Sequence, residues 1–252
     1  MANPPAQSSD NVLSAEDEQA MLEQHSFMLE QMEKGDTSAV SHSMPNIDCP
    51  LRKAGINPHQ LKPFDEVEKY IAFLERPDRI QWQRPDEVVK ALNLKAGDVI
   101  ADIGAGSGYF SFRFVDKLTT GKVIALDTEP EMIRHIHHKS VSLGLNNLEA
   151  KIISKEKPEV GEPVDVVFIC DVLHHVENRV EWLKQVSATM KSNSRLILIE
   201  FAEGELPEGP PASLKIPKAQ LLKVTEQAGL KLTTDHSELL PYQVMLEFKK
   251  VH

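Results

Sequence analysis

The chain has 252 residues, 41% hydrophobic and 26% charged, enough for one sizeable core with an appendage and too few for two large domains. A formal net charge of −10 argues against a broad nucleic-acid footprint. Two cysteines, Cys49 and Cys170, exclude a disulfide framework and a four-cysteine zinc site. No apolar run nears the roughly 20 residues of a membrane span, and residues 1–10 lack a signal pattern. The expectation is a cytoplasmic protein with no membrane span.

Residues 1–13, rich in Pro, Ser, Asn and Gln, read as a disordered tail. From Ser14, a stripe of Met21, Leu22, His25, Met28, Leu29 and Met32 predicts a helix ending near Gly35. Residues 36–63 read as irregular. His42, Cys49 and His59 fall there without the close paired spacing of zinc motifs, so no metal site is expected. Phe64, Val67, Tyr70, Ile71 and Leu74 mark a further amphipathic helix. The run over 75–85 is dense in charge and amide, with Trp82 as its large aromatic. It reads either as a lid over a ligand or as a solvated connector anchored by Trp82. Residues 14–84 together form a helical cap.

A different pattern begins at Pro85, which suits the first turn of a helix carrying Val88, Val89 and Leu92. Strands over 98–103, 122–127, 148–153, 164–170 and 195–201 alternate with helices. Thr128 and Glu131 suggest a capping box around Pro130. A last helix over 216–229 precedes two strands, near 230–236 and 243–250. Alternation of this kind gives an α/β fold: a doubly wound, mostly parallel seven-stranded Rossmann-like sheet, here over 85–252. The closing two strands need no crossover helix, so the last is expected to be antiparallel. Ligands bind such sheets at the carboxyl ends of the strands, where Asp102, Asp127 and Asp171 fall.

The turn after the first strand reads Asp102-Ile103-Gly104-Ala105-Gly106-Ser107-Gly108. Its glycines are evenly spaced, where a dinucleotide fingerprint has its third glycine one position later, at Tyr109 here. An acid at Asp102 would also crowd a pyrophosphate and suits a ligand with a positive end. The segment resembles the first motif of class I S-adenosylmethionine-dependent methyltransferases, of the ubiquinone/menaquinone-type and small-molecule group. The resemblance extends over about 85–250 through Ala125-Leu126-Asp127, Asp165-Val166-Val167-Phe168-Ile169-Cys170-Asp171 and Leu173-His174-His175-Val176.

That resemblance implies S-adenosyl-L-methionine as cofactor and a role for each matching residue. Asp102 would lie near the methionine amino group, and Gly104, Gly106 and Gly108 would let the backbone pass beneath the cofactor. Asp127 would accept both ribose hydroxyls, Met132 would pack on adenine, and Cys170 (through its backbone) and Asp171 would line the methionine end. Two departures stand out. Ser154-Lys155-Glu156 replaces an acid that many relatives carry after the third strand, and Lys191-Ser192-Asn193-Ser194 replaces the usual turn before the fifth.

The acceptor should sit after the fourth strand, where His174 and His175 are candidate general bases; the plainer reading is that one of them caps or packs the following helix. His135, His137 and His138 read as a solvated helix face, and Cys170 as a buried structural thiol. Arg79, Trp82, Gln83 and Tyr109 are expected to face cofactor or substrate. The leading expectation is a methyltransferase acting on a small molecule and not on nucleic acid. The alternatives are a catalytically silent cofactor- or partner-binding protein and a dinucleotide-dependent oxidoreductase. Nothing in the sequence sets an oligomeric state.

Overall fold

Seven strands pair into one sheet in the order β3-β2-β1-β4-β5-β7-β6. This computed structural model describes residues 49–56, 61–62 and 64–251. The expected tail, the Met-rich helix, His42 and His59 lie outside them. The described residues belong to one unit, Cys49–His252. Among them no helix is long and apolar enough to cross a membrane.

Short helices α1 (Pro50–Lys53), α2 (Phe64–Leu74), α3 (Arg79–Gln83) and α4 (Pro85–Ala91) precede the sheet. Then follow β1 (Val99–Ile103), α5 (Ser111–Val115), β2 (Lys122–Asp127), α6 (Pro130–Ser142), β3 (Leu148–Ile152) and β4 (Val164–Cys170). The chain closes with α7 (Arg179–Ala188), β5 (Met190–Phe201), α8 (Lys218–Gln227), β6 (Leu230–Asp235) and β7 (Gln243–Lys250). β1 to β5 are parallel, and β7 runs antiparallel between β5 and β6.

Residues of the central strands alternate between two buried faces. Ala101, Ile103, Val167, Ile169, Leu196 and Leu198 face Trp182, Leu183 and Leu221 of α7 and α8. Ile100, Val166, Phe168, Ile197 and Ile199 face Val88, Phe114, Ile133 and Ile136 of α4 to α6. This two-residue period makes the near-continuous apolar runs of a sheet covered on both sides. Phe168 sits fully buried with Phe110 and Phe114, each ring centroid 4.9 Å from its own. Truncating it to Ala would cost about 3–5 kcal/mol and would loosen the start of α5, hence the loop before it.

Three local expectations are corrected. β5 starts at Met190: Val164 pairs Met190 and Val166 pairs Arg195, so Lys191–Ser194 is a bulge within the strand and not a separate turn. Ser194 holds it by donating from Oγ to the Val164 carbonyl at 2.5 Å. The Thr128–Glu131 capping box does not form. The N-cap of α6 is Glu129, whose N–H donates to Asp127 Oδ1 at 2.9 Å, while Glu131 accepts the Lys62 N–H at 2.8 Å. The histidines of α6 do not form one solvated face: only His138 is exposed, and burial lowers the pKa of His135.

Candidate active site

The chain leaves β1, winds out to β3, and returns to β4 on the other side of β1. Strand direction out of the sheet therefore diverges between β1 and β4, opening a crevice at their carboxyl ends. Gly104, Gly106 and Gly108 line the β1–α5 turn with φ of 76°, 57° and 82°, a left-handed region costly to residues with a Cβ. Space matters as much as φ at two of them. A Cβ at Gly104 would lie 2.2 Å from Val172 Cγ2, and one at Gly108 would lie 2.7 Å from Phe112 Cε2.

Asp102 lies one residue before the end of β1, almost fully buried, and accepts a hydrogen bond from Ser111 Oγ at 2.5 Å. Burial pushes its pKa up to about 7, against the opposing pull of the Ser111 hydrogen bond and Arg79. Asp127 ends β2. Its Oδ2 accepts the Gly106 N–H at 2.8 Å and its Oδ1 the Glu129 N–H, so the carboxylate ties the glycine turn to the start of α6. Burial raises its pKa. Met132 follows on α6, buried. Ser154 and Glu156 are exposed, and the Ser154 hydroxyl accepts the Lys157 N–H at 3.0 Å.

Asp171 turns the chain out of β4 with φ 59°. Gln243, the first residue of β7, donates to both its carboxylate oxygens at 2.8 Å. Gln83, wholly buried at the end of α3, donates to Asp171 Oδ2 at 3.2 Å, to Gln243 Oε1 at 3.2 Å and to Cys170 Sγ at 3.1 Å. Burial, then repulsion from Glu200, takes the Asp171 pKa to about 7; Arg79, His174 and the Gln243 hydrogen bond act the other way. Burial and Asp171 push the Cys170 thiol well above its ordinary value, so it stays protonated.

His174 and His175 form a 3₁₀ turn after β4. His174 Nδ1 lies 2.8 Å from Glu200 Oε2, and Glu200 Oε1 accepts the backbone N–H of Leu173 at 2.6 Å and of His174 at 3.3 Å. Burial alone would lower the His174 pKa, but the hydrogen bond and charge of Glu200 outweigh it, and the net shift is upward. His175 is exposed, its ring centroid 4.0 Å from that of His174, and burial and His174 lower its pKa.

The segment from α2 to α3 lies beside the glycine turn. Leu74 Cδ1 would be 3.4 Å from a Cβ at Gly106. Arg79 donates to the Leu74 carbonyl and to Gln83 Oε1, and its guanidinium lies 4.0 Å from the Tyr109 ring centroid, as does that of Arg113. Trp82 is buried against Phe201 at 5.6 Å between centroids, and Arg76 pairs with Glu208 of the 203–211 loop. The run over 75–85 thus forms a strap beside the turn, anchored by the buried Trp82 and Gln83 and exposed at Pro77, Asp78, Ile80, Gln81 and Arg84. Trp82 Nε1, Ser107 Oγ and Tyr109 OH are buried and have no hydrogen-bond partner among the described residues, a cost of about 1–3 kcal/mol each that a ligand can relieve.

The structure brings Asp102, the three glycines, Asp127, Cys170, Asp171, Arg79, Gln83 and Tyr109 to this end of the sheet. Ser111, Glu200 and Gln243 were not singled out in the sequence. Glu200 had a signal, as an acid within the apolar run of β5; Gln243 and Ser111 had none.

These residues fit S-adenosylmethionine: a carboxylate at the end of β2 suits a diol, the buried Asp102 and half-buried Asp171 suit a cationic end, and the glycine turn admits close approach of a ligand. Residues 94–239 match the family described as a methyltransferase domain. A tRNA U34 carboxymethyltransferase of Desulfotalea psychrophila is 32% identical over 121 residues, 47% of this chain and 36% of that protein. A ubiquinone/menaquinone biosynthesis C-methyltransferase of Ectopseudomonas mendocina is 23% identical over 174 residues, 68% of this chain and 64% of the other. The chain therefore spans less than two-thirds of the length of either curated relative. A SAM-dependent methyltransferase structure from Aquifex aeolicus shares the fold with a TM-score of 0.67 at 24% identity, covering 74% of this chain and 98% of that one. With the family match running from before β1 to beyond β6, across the glycine turn and all three strand-end aspartates, the chain belongs to the class I S-adenosylmethionine-dependent methyltransferases.

Proposed function

We propose that the chain transfers a methyl group from S-adenosylmethionine to a small molecule, in a domain over 85–252 with the strap over 75–84 beside its glycine turn. The carrying observation is the junction of Gly106 N–H with Asp127 Oδ2, which sets a diol acceptor beside a glycine turn at the switch point of the sheet. Asp127 keeps lone pairs on both oxygens for the ribose hydroxyls. Met132 packs on adenine, and Gly104, Gly106 and Gly108 carry the backbone beneath the ligand. Asp102 and Asp171, with the backbone at Cys170, take the positively charged methionine end. Arg79, Trp82, Gln83 and Tyr109 shield this space from water.

When bound, the cofactor supplies an electrophilic methyl carbon on a sulfonium sulfur. The protein's part is orientation and a dry, negatively polarised site. His174, or His175 beside it, accepts the proton that an oxygen or nitrogen acceptor gives up. Calorimetry with S-adenosylhomocysteine tests the site. Wild type should bind, and Asp127→Ala should bind at least about 100-fold more weakly; equal affinity would remove the site from this place.

A second reading is an RNA substrate, favoured by the relatives named as tRNA U34 carboxymethyltransferases, which are 32%, 27% and 29% identical over their matched segments. The acidic balance of the chain, −10 overall, weighs against it. Formation of S-adenosylhomocysteine with bulk tRNA, and with no phenol, quinol or thiol in a panel, would move the assignment to RNA.

A further inference from the structure

Glu200 is 1% exposed, one residue from the end of β5, and both its oxygens are committed as acceptors. Oε1 takes two backbone N–H groups of the turn after β4, and Oε2 faces His174 Nδ1. A carboxylate has no hydrogen to offer, so the neutral imidazole must place its proton on Nδ1. Nε2 is then left with its lone pair. The same carboxylate thus fixes the backbone that carries the histidine and the tautomer of its ring. Among the described residues no other acid is hydrogen-bonded to Nδ1: Asp171 at the end of β4 and Arg179 of α7 act on His174 through space, and His175 of the same turn lies with its ring centroid 4.0 Å away.

We propose that Glu200 is the positioning residue of the acceptor half of the site, holding His174 as the tautomer whose Nε2 takes a proton from the methyl acceptor. The inference rests on the reading of His174 as the base. In that step the acceptor's O–H or N–H proton passes to Nε2. The electron pair left on the acceptor atom forms the new bond to the methyl carbon, and the carbon–sulfur pair stays on sulfur. Glu200 then balances the imidazolium across the 2.8 Å contact. The rise in the His174 pKa from Glu200 acts in the same direction.

Glu200→Gln distinguishes positioning from support. If the glutamine carbonyl keeps the Leu173 and His174 N–H groups, its NH₂ must face Nδ1. The ring proton is then driven to Nε2, and the base is lost. The measurement is ¹⁵N-histidine NMR of the full chain, with His174→Ala to assign the resonances. Wild type should show neutral His174 protonated on Nδ1. Glu200→Gln should show it protonated on Nε2, with proton affinity about tenfold lower, one unit in the titration midpoint. Folding of Glu200→Gln is checked by its urea midpoint and not by S-adenosylhomocysteine affinity, because the Glu200 charge also acts on Asp171 at the methionine end. An Nε2–H tautomer in wild type would overturn the inference without any variant, and so would an unchanged tautomer in folded Glu200→Gln. Loss of S-adenosylhomocysteine binding by wild type would instead sink the proposed function, and the tautomer readout does not depend on it.

Discussion

Gly106 and Asp127 join the ends of β1 and β2 through one hydrogen bond, from the glycine N–H to Oδ2 at 2.8 Å. The other oxygen, Oδ1, accepts the Glu129 N–H at 2.9 Å. Asparagine has one carbonyl oxygen, so Asp127→Asn must set an NH₂ against one of these two N–H groups. The loss should be about 1–3 kcal/mol in stability. Affinity for S-adenosylhomocysteine should fall at least about tenfold, because a carboxylate's charge-assisted bonds are also lost. Urea unfolding and calorimetry check the two separately, and a variant with unchanged affinity contradicts the assignment.

The glycines of the turn should not respond alike to alanine. At Gly104 the new methyl meets Val172 Cγ2 at 2.2 Å, and φ is 76°. Gly104→Ala therefore carries both left-handed strain, about 1–2 kcal/mol, and an overpacking cost of about 1–3 kcal/mol. At Gly106 the nearest atom is Leu74 Cδ1 at 3.4 Å, which is ordinary contact, so Gly106→Ala carries the strain alone. Urea midpoints should rank wild type above Gly106→Ala and Gly106→Ala above Gly104→Ala. Equal midpoints for the two variants would show that Val172 moves freely and that Gly104 is there for φ alone.

Asp102 makes the protein's stability and its ligand affinity respond oppositely to pH. Its folded pKa of about 7 lies above the ordinary value of 3.8. Between those values the unfolded chain loses the proton while the folded chain keeps it, so stability falls as pH rises and the penalty is complete above pH 7. The full penalty is at most about 4 kcal/mol, at 1.36 kcal/mol per pKa unit. A cationic ligand end favours the ionised form, so affinity for S-adenosylmethionine should rise from pH 6 to pH 8. Asp102→Asn should melt higher than wild type at pH 8, with a gain that shrinks toward pH 5, and should bind more weakly throughout. A gain independent of pH would assign the effect to packing.

The sheet was legible because buried parallel strands are short apolar runs with acids at their carboxyl ends, as Val164 to Asp171 shows. The antiparallel edge followed from two strands with no helix between them. The bulge at Lys191–Ser194 was not legible: four polar residues read as a turn, and only pairing with Val164 and Val166 turns them into strand. The capping box failed for a related reason, since the Glu131 carboxylate accepts the Lys62 N–H from 69 positions away. At the site, the aspartates and glycines sit on contiguous motifs. Glu200 reaches His174 across 26 positions and Gln243 reaches Asp171 across 72; such partners are set by which strands become neighbours, which spacing does not encode.

Gln83 holds the strap to the sheet. Its amide reaches Cys170, Asp171 and Gln243, each on an element that belongs to the sheet or its strand ends, and no part of its side chain is exposed. Beside it Trp82 packs on Phe201, while the strap's ion pairs, such as Arg76 with Glu208 and Lys139 with Glu75, contribute about 0–1 kcal/mol. Removing the buried amide should therefore free the strap before it affects the core. Gln83→Ala leaves Asp171 with Gln243 as its donor, a local loss of about 1–3 kcal/mol. The trypsin site to follow is Arg79, because Arg76 and Arg84 are each followed by proline. Cleavage after Arg79 should quicken about tenfold or more in Gln83→Ala, as expected when local opening becomes easier by over 1.4 kcal/mol. Ile80→Ala, which truncates a side chain 56% exposed, should leave the rate near wild type. Saturating S-adenosylhomocysteine should slow cleavage in wild type, since the strap lies beside the glycine turn. Equal cleavage of Gln83→Ala and wild type would place the strap's anchor elsewhere, with Trp82 against Phe201 as the next contact to truncate.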